Sequence, residues 1–162
     1  MPLTPFHLGP ALLIGIILFP FIDLFVILIA SVIIDIEPLY IVITGSNAPL
    51  HGILHTYLMA TVVSLILSLI MYPLRKYYLK LLKIFGLKQE TSFAKILISS
   101  LIGTYSHIFL DSFLYPEMQP FYPYAENPFL HMLSITAVYG ICVVSFIVGL
   151  IIYIIRILYK RE

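Results

Sequence analysis

Two pairs of metal-ligating residue types stand four positions apart in this sequence. His51 and His55 open an apolar run that continues to Tyr72, and His107 and Asp111 lie near the end of a second such run. Residues at positions i and i+4 share one face of an α-helix, so each pair could hold a divalent metal ion. If the two helices are antiparallel neighbours, all four side chains meet at one end of the bundle.

Three further residues could extend this metal site. His7 precedes the first apolar run, and Asp35 and Glu37 follow the second. Neutral imidazole and carboxylate suit zinc, our first expectation, and also manganese or iron. Seven candidates exceed what one tetrahedral ion needs, so two or more ions are expected. Two ions about 3.5 to 4 Å apart can generate a hydroxide nucleophile and stabilise the leaving oxygen of a phosphoester. The predicted metal ligands are His7, Asp35, Glu37, His51, His55, His107 and Asp111.

Composition indicates that these residues are positioned by membrane helices. The 162-residue chain is 61% hydrophobic and only 10% charged, and its mean hydropathy is +1.06. These values are typical of a polytopic membrane protein surrounded by lipid, here with one domain over residues 1–162. The net charge of +1 points to no nucleic-acid partner. The single cysteine, Cys142, lies inside an apolar segment and offers neither an intrachain disulfide nor a nucleophile.

The N-terminal third allows two interpretations. Apolar runs from Leu8 to Phe19 and from Leu24 to Ile34 are separated by Pro20 and Asp23. The two runs form either one kinked span or a hairpin of two short helices, each ~18 Å long and therefore shorter than the ~30 Å hydrocarbon core. A single helix would separate His7 from Asp35 by ~40 Å. We favour the hairpin because it returns both residues to one surface, with Asp23 as a helix cap at its tip.

Three full spans are expected after the hairpin. Residues 39–49 read as a loop, and residues 74–88 as a basic amphipathic helix on the membrane surface, with a plain basic loop as the alternative. The fold class is therefore all-α: an N-terminal short-helix hairpin, three transmembrane helices and a basic surface helix. The three spans run from Leu50 to Tyr72, from Phe93 to Tyr115 and from Phe129 to Tyr153.

The distribution of charge predicts the orientation. All nine Lys and Arg residues lie in residues 75–95 or after residue 155. These two regions share one side if three spans follow residue 49, and the positive-inside rule makes that side cytoplasmic. The metal site then lies at the extracytoplasmic face of a prokaryotic plasma membrane. His131 falls on that face without a carboxylate partner and is interpreted as an interfacial histidine.

No catalytic base is assigned from the sequence. Glu117 and Glu126 lie in the aromatic, proline-rich loop of residues 116–128, near the expected site. Either could serve as a general base or contact a substrate, although a solvated loop carboxylate is the simpler interpretation. No glycine-rich phosphate loop, dinucleotide fingerprint or nucleophile elbow is present.

Four motifs together resemble a known family. The motifs are TPFHLGP (4–10), DIEPL (35–39), HGILHT (51–56) and SHIFLDSFLYPEMQPFYP (106–123). With them, the sequence is similar to the membrane-bound, predicted metal-dependent hydrolases of the YdjM type, also called DUF457. The resemblance implies a helical fold distantly similar to zinc-dependent phospholipase C and P1 nuclease. It implies metal ligation by the residues named above, with Glu37 as a second acidic residue. Gly52 departs from the wider family, where arginine is common.

The function expected from these observations is metal-dependent hydrolysis of a phosphoester, plausibly in a phospholipid or lipid-linked headgroup. Two alternatives use the same ligands. A divalent-metal or proton carrier would need an exit path on the cytoplasmic side, where few acidic residues lie. A structural membrane protein with a stabilising metal would leave no coordination position open, whereas an enzyme must keep one for water. No pattern indicates an oligomeric state.

Overall fold

The structure, a computed structural model, describes residues 4–159, and within them it is helical without strands. The expected all-α class is confirmed. A 3₁₀ turn at Thr4–His7 leads into α1, and a second one at Ile53–His55 precedes α4. The α-helices are α1 (Leu8–Ile17), α2 (Leu24–Ile33), α3 (Ile36–Thr44), α4 (Tyr57–Ile84), α5 (Phe93–Ser112) and α6 (Ile135–Tyr159).

Four helices, where three were expected, are long and apolar enough to cross a membrane: Leu24–Thr44, Tyr57–Ile84, Phe93–Ser112 and Ile135–Tyr159. The difference lies in the second arm of the hairpin, which was expected to stop at Asp35 and Pro38. The chain instead resumes a helix at Ile36. Pro38 lies in the first turn of α3, where a backbone N–H has no helical partner to lose. The loop expected at residues 39–49 starts only at Gly45, which ends α3 with a φ of 64°.

The hairpin itself is confirmed. Helices α1 and α2 pack against each other across a turn at residues 18–23. Asp23 caps α2 by accepting a hydrogen bond from the Val26 N–H at 3.1 Å. Its other carboxylate oxygen accepts from the Tyr78 hydroxyl of α4 at 2.8 Å. The side-chain amide of Gln89 donates to the carbonyls of Phe19 and Ile22. The tip is therefore anchored among the ends of the long helices that lie farthest from the histidines.

Close backbone contacts set the positions of the helices. Helix α2 packs on α5, α5 on α4, and α1 lies between α2 and α6. A Cβ at Gly103 of α5 would lie 2.6 Å from the Ala30 Cβ and 2.8 Å from the Ile27 carbonyl oxygen. A Cβ at Gly9 of α1 would overlap the carbonyl of Cys142 in α6. Because these two glycines lack side chains, the hairpin is wedged between α5 and α6, and its open end reaches the end of α5.

The basic segment continues α4. This helix has 28 residues and runs through Pro73 to Ile84, so a separate surface helix at residues 74–88 is not seen in the described part of the chain. At ~1.5 Å per residue α4 is ~42 Å long and exceeds a ~30 Å hydrocarbon core by ~12 Å, or about two turns. Its basic end therefore extends beyond the membrane core. The last helix was expected to begin at about Phe129 but begins at Ile135. At this start, Ser134 Oγ accepts a hydrogen bond from the Ala137 N–H at 3.2 Å.

Candidate metal centre

Four buried side chains from three segments form a cluster at the open end of the hairpin. Asp35 lies at the junction of α2 and α3, His55 in the 3₁₀ turn before α4, and His107 and Asp111 on α5. One potential ligand atom from each residue lies within 4.8 Å of the other three. All four belong to the seven residues predicted from the sequence as metal ligands, and together they could hold a metal ion.

The separations fit a single small cation. His107 Nε2 lies 3.2 Å from Asp111 Oδ2 and 3.5 Å from Asp35 Oδ1. His55 Nε2 lies 3.9 Å from the same Asp35 oxygen. Ligands bound tetrahedrally to zinc at ~2.0 to 2.2 Å are ~3.3 Å from one another. Shifts of a few tenths of an ångström up to about an ångström would close this cluster on an ion.

His7 lies beside the cluster, on the side facing α1. Its Nε2 is 3.3 Å from Asp111 Oδ1, and its ring stacks on His107 with centroids 3.9 Å apart. Only 1% of His7 is exposed, and among the described residues neither ring nitrogen has a hydrogen bond of good geometry. The two oxygens of Asp111 thus face different imidazoles, Oδ2 toward His107 and Oδ1 toward His7.

His51 and His55 reach the centre from a different local structure than expected. The sequence placed both on the first turns of the membrane helix, but α4 begins only at Tyr57, capped by Thr56. The Glu37 carboxylate accepts hydrogen bonds from the backbone N–H groups of Gly52 and Leu54 at 3.1 and 3.2 Å. These bonds hold the chain in a turn that an α-helix starting at Leu50 could not form. The rings of His51 and His55 still meet, edge to face, with centroids 4.8 Å apart.

Three of the histidines are oriented in the same way. Each bonds an acceptor outside the cluster through Nδ1, and in the neutral imidazole this arrangement leaves Nε2 without a proton. In each, Nε2 is buried and has no hydrogen bond of good geometry within residues 4–159. Metal-binding histidines commonly show this arrangement, in which an outer acceptor fixes the tautomer and the ring. The bonded pairs are His51 with Glu117 Oε1 at 2.8 Å, His55 with Glu37 Oε2 at 2.9 Å, and His107 with the Ser31 carbonyl at 2.7 Å.

The Ser31 carbonyl is available because the helix is interrupted there. In a continuous helix it would accept from the N–H of Asp35, four residues on. The Asp35 N–H bonds instead to the Val32 carbonyl at 3.2 Å. The break between α2 and α3 therefore both positions Asp35 and frees an acceptor for His107. This contribution was missed in the sequence, since a backbone carbonyl carries no residue signature.

Glu37, expected among the ligands, contacts the side of the His55 ring that faces away from the cluster. Its carboxylate bonds Nδ1, whereas Nε2 of the same ring faces the cluster. Gly52 lies directly against it, since a Cβ there would be 2.7 Å from Glu37 Oε1. The glycine noted as a departure from the wider family thus leaves space for the Glu37 carboxylate in this chain.

Glu117 and His51 form the outermost part of the centre. Burial lowers the pKa of His51, and the hydrogen bond with Glu117 raises it by less, so this pKa lies below its ordinary value. Burial raises the pKa of Glu117, but the hydrogen bond with His51, a backbone hydrogen bond and the charges of His51 and His55 together lower it by more, so the net shift is downward. Both directions favour a neutral imidazole donating to a carboxylate at neutral pH. His51 therefore presents the lone pair of Nε2 to its surroundings.

The other two ionisable candidates lie away from the cluster. His131 is exposed in the turn before α6, with a φ of 61° and its N–H donating to the Phe113 carbonyl at 3.0 Å. Glu126 is exposed in the outer loop. The structure thus gathers all seven predicted residues in one region, four with ligand atoms in the cluster and three beside it.

A match to a known family covers nearly the whole chain. No curated protein and no solved structure matches it. The family described as YdjM inner membrane protein matches residues 3–161. The resemblance inferred from the four motifs is confirmed, and the apolar helices agree with integration in a membrane. The chain belongs to the YdjM inner membrane protein family.

Proposed function

We propose that this protein is a membrane-bound, metal-dependent hydrolase of phosphoesters, acting at the extracytoplasmic face. The observation that supports this most strongly is the convergence of buried Nε2 atoms, each fixed through Nδ1, on two buried aspartates. A hydrogen-bonded structural core would not leave so many buried imidazole nitrogens without a hydrogen bond of good geometry, because each costs free energy when it is desolvated.

The ligand chemistry favours a divalent ion. Two aspartates carry two negative charges, which are expensive to bury unless they are paired or bind a cation. Two imidazoles and two carboxylates form a mixed nitrogen and oxygen set that suits zinc, and also manganese or iron. Asp35, His55, His107 and Asp111 would hold this ion. When bound, it supplies Lewis acidity that activates water and stabilises negative charge on a phosphoryl group.

A second ion would use the side of Asp111 that faces α1. There Asp111 Oδ1 lies beside His7, whose ring nitrogens are buried. His51 is the remaining imidazole of the centre with a buried, unbonded Nε2. A carboxylate with one oxygen directed to each of two sites is suited to bridging a pair of ions. Distant similarity to zinc-dependent phospholipase C and P1 nuclease stays a prediction from the motifs.

A pocket beside this centre contains the side chains of His51 and Glu117, and we call it the polar pocket. It has a volume of about 230 Å³, and its lining also includes Gly52 and Tyr122. The Glu117 side chain is 34% exposed and bonds His51 Nδ1. We assign Glu117 the transfer of protons between the pocket and solvent, because its carboxylate touches both.

The proposed orientation follows from the two ends of the long helices. The centre lies at the start of α4 and the end of α5, whereas the basic residues lie at the end of α4, the start of α5 and the end of α6. Under the positive-inside rule the basic end is cytoplasmic and the centre faces outward.

Metal analysis and turnover test the function together. We expect protein purified without chelator to contain one or two divalent ions per chain by mass spectrometry. We expect it to cleave a phosphodiester or phosphomonoester in proteoliposomes, with activity lost to chelator and restored by zinc or manganese. A fully loaded protein that cleaves no member of a broad phosphoester panel would contradict the hydrolase proposal and favour a structural metal. Protein that takes up no divalent ion would contradict the metal centre itself.

Glu37→Gln should weaken the centre without removing a ligand of the four-residue cluster. The amide is uncharged, so its bonds with His55 and the two backbone N–H groups are weaker. Loss of such an outer partner typically lowers metal affinity by roughly 10- to 100-fold, and this drop can be measured by competition with a chromophoric chelator. Glu126→Gln, an equivalent change at an exposed carboxylate, should bind metal as the wild type does. Equal affinities of the two variants would exclude an orienting role for Glu37.

A further inference from the structure

An apolar groove runs along the outer surface between α4 and α5. Its volume is about 690 Å³, and its lining is almost entirely aliphatic and aromatic. Both helices are long and apolar enough to cross a membrane, so the groove opens toward the hydrocarbon of the bilayer. The lining residues are Tyr57, Leu101, Ile102, Tyr105, Ser106, Phe109 and Phe121.

The groove follows the helix axis. From Leu101 to Phe109 it extends over eight residues of α5, or ~12 Å. At the end nearest the metal centre it meets Phe121 of the outer loop, whose ring lies 5.2 Å from that of Tyr57. The loop is fixed there because the Tyr57 N–H donates to the Pro120 carbonyl at 2.9 Å. The groove therefore has the direction of a lipid acyl chain in a bilayer.

The polar pocket begins where the groove ends. Phe121 lines the groove, and the adjacent Tyr122 lines the pocket that contains His51 and Glu117. Thr56 and Tyr57 are also adjacent in the chain; Thr56 lines the pocket and Tyr57 lines the groove. An apolar groove along α5 thus adjoins the polar pocket beside the candidate metal centre. A molecule that fills both has a hydrocarbon chain and a polar headgroup.

We propose that this groove binds one acyl chain of a membrane lipid, and that the phosphate-containing headgroup of the same lipid enters the polar pocket at His51. The proposal rests on the proposed function for what happens to the headgroup, but the acyl-chain site stands on the groove alone. It names the substrate class as a lipid phosphoester taken directly from the outer leaflet.

Photolabelling tests the site without requiring turnover. The full-length protein is reconstituted in vesicles of phosphatidylethanolamine and phosphatidylglycerol containing a phospholipid with a diazirine on its acyl chain. After irradiation, labelled peptides are mapped by mass spectrometry. We expect labelling concentrated on residues 101–109 and at Tyr57. Leu101→Trp fills the groove and should reduce this labelling several-fold. Ile147→Trp, at an exposed position of α6 that does not line the groove, should not.

Two results would overturn the proposal. Equal labelling along the outward faces of α4, α5 and α6, unchanged by Leu101→Trp, would show ordinary surrounding lipid. Crosslinks joining two protein chains through the groove would show that a second copy covers it. Metal content and cleavage of a short-chain, soluble phosphodiester should be equal in the two tryptophan variants. Concentrated labelling without any phosphoester cleavage would retain the lipid site and reject the hydrolase.

Discussion

Asp111→Ala is expected to abolish stoichiometric metal binding and to lower phosphoester turnover more than ~100-fold, the upper end of the effect of losing a mere outer partner. Asp111 is 1% exposed, and each of its oxygens faces a different histidine, His107 at 3.2 Å and His7 at 3.3 Å. The substitution removes a negative charge that would offset a cation and a side chain that contacts both imidazoles through separate oxygens. Bound metal and initial rates, measured on the same preparation, check the expectation.

Asp111→Asn separates chemistry from folding. It keeps the size of the side chain and one acceptor oxygen, so the packing around α5 should survive. We expect this variant to elute as a single species and to retain its helical circular dichroism, yet to bind metal far more weakly. If the folded asparagine variant kept its full metal content, Asp111 would not be a ligand.

Gly103→Val is expected to cause a large loss of stability although it lies outside the centre. A Cβ there would lie 2.6 Å from the Ala30 Cβ and 3.0 Å from the Ser31 nitrogen, so α2 and α5 must separate. Overpacking of this kind costs about 1 to 3 kcal/mol or more. The shift also moves the Ser31 carbonyl away from His107, which it holds at 2.7 Å. Thermal unfolding in detergent should therefore start at a lower temperature, with reduced metal affinity.

Gly140→Val is the matched control. Gly140 lies in α6, and a Cβ there meets no other atom within 4 Å. The valine should leave the unfolding temperature and the metal content close to those of the wild type. If the two valine variants behaved alike, the close approach of α2 to α5 would not determine the geometry of the centre.

The positions of the ligands were predictable because polar residues in apolar runs are costly and therefore informative. His7 could be placed near Asp35 by a distance argument, because one straight helix would hold the two residues too far apart to share a site and a hairpin brings them together. The pair His51 and His55 was expected to meet the pair His107 and Asp111 because the two helices were predicted to be antiparallel, with the pairs at the same depth in the membrane. The hairpin could thus be derived from spacing together with the hypothesis of a shared metal site, whereas spacing did not tell which four of the seven candidate residues form the cluster.

Local backbone structure was harder to predict. Pro38 looked like a helix stop, but at the third position of α3 it costs no hydrogen bond. His51 and His55 had helical spacing, yet the chain around them is held in a turn by Glu37, fifteen to eighteen residues earlier. The acceptor for His107 is a carbonyl freed by a helix break. Each of these depends on tertiary contacts that a local pattern does not contain.

The packing of α6 has a consequence for biosynthesis. Within the described residues this helix lies mainly against α1, through close contacts at Gly9 and Gly149. Of the described helices, the last in chain order therefore packs on the first. We expect α1 to lack this packing partner until α6 has been synthesised. His7, at the start of α1, would be fixed beside Asp111 only after α6 has packed, so the centre would acquire its full set of side chains late in assembly.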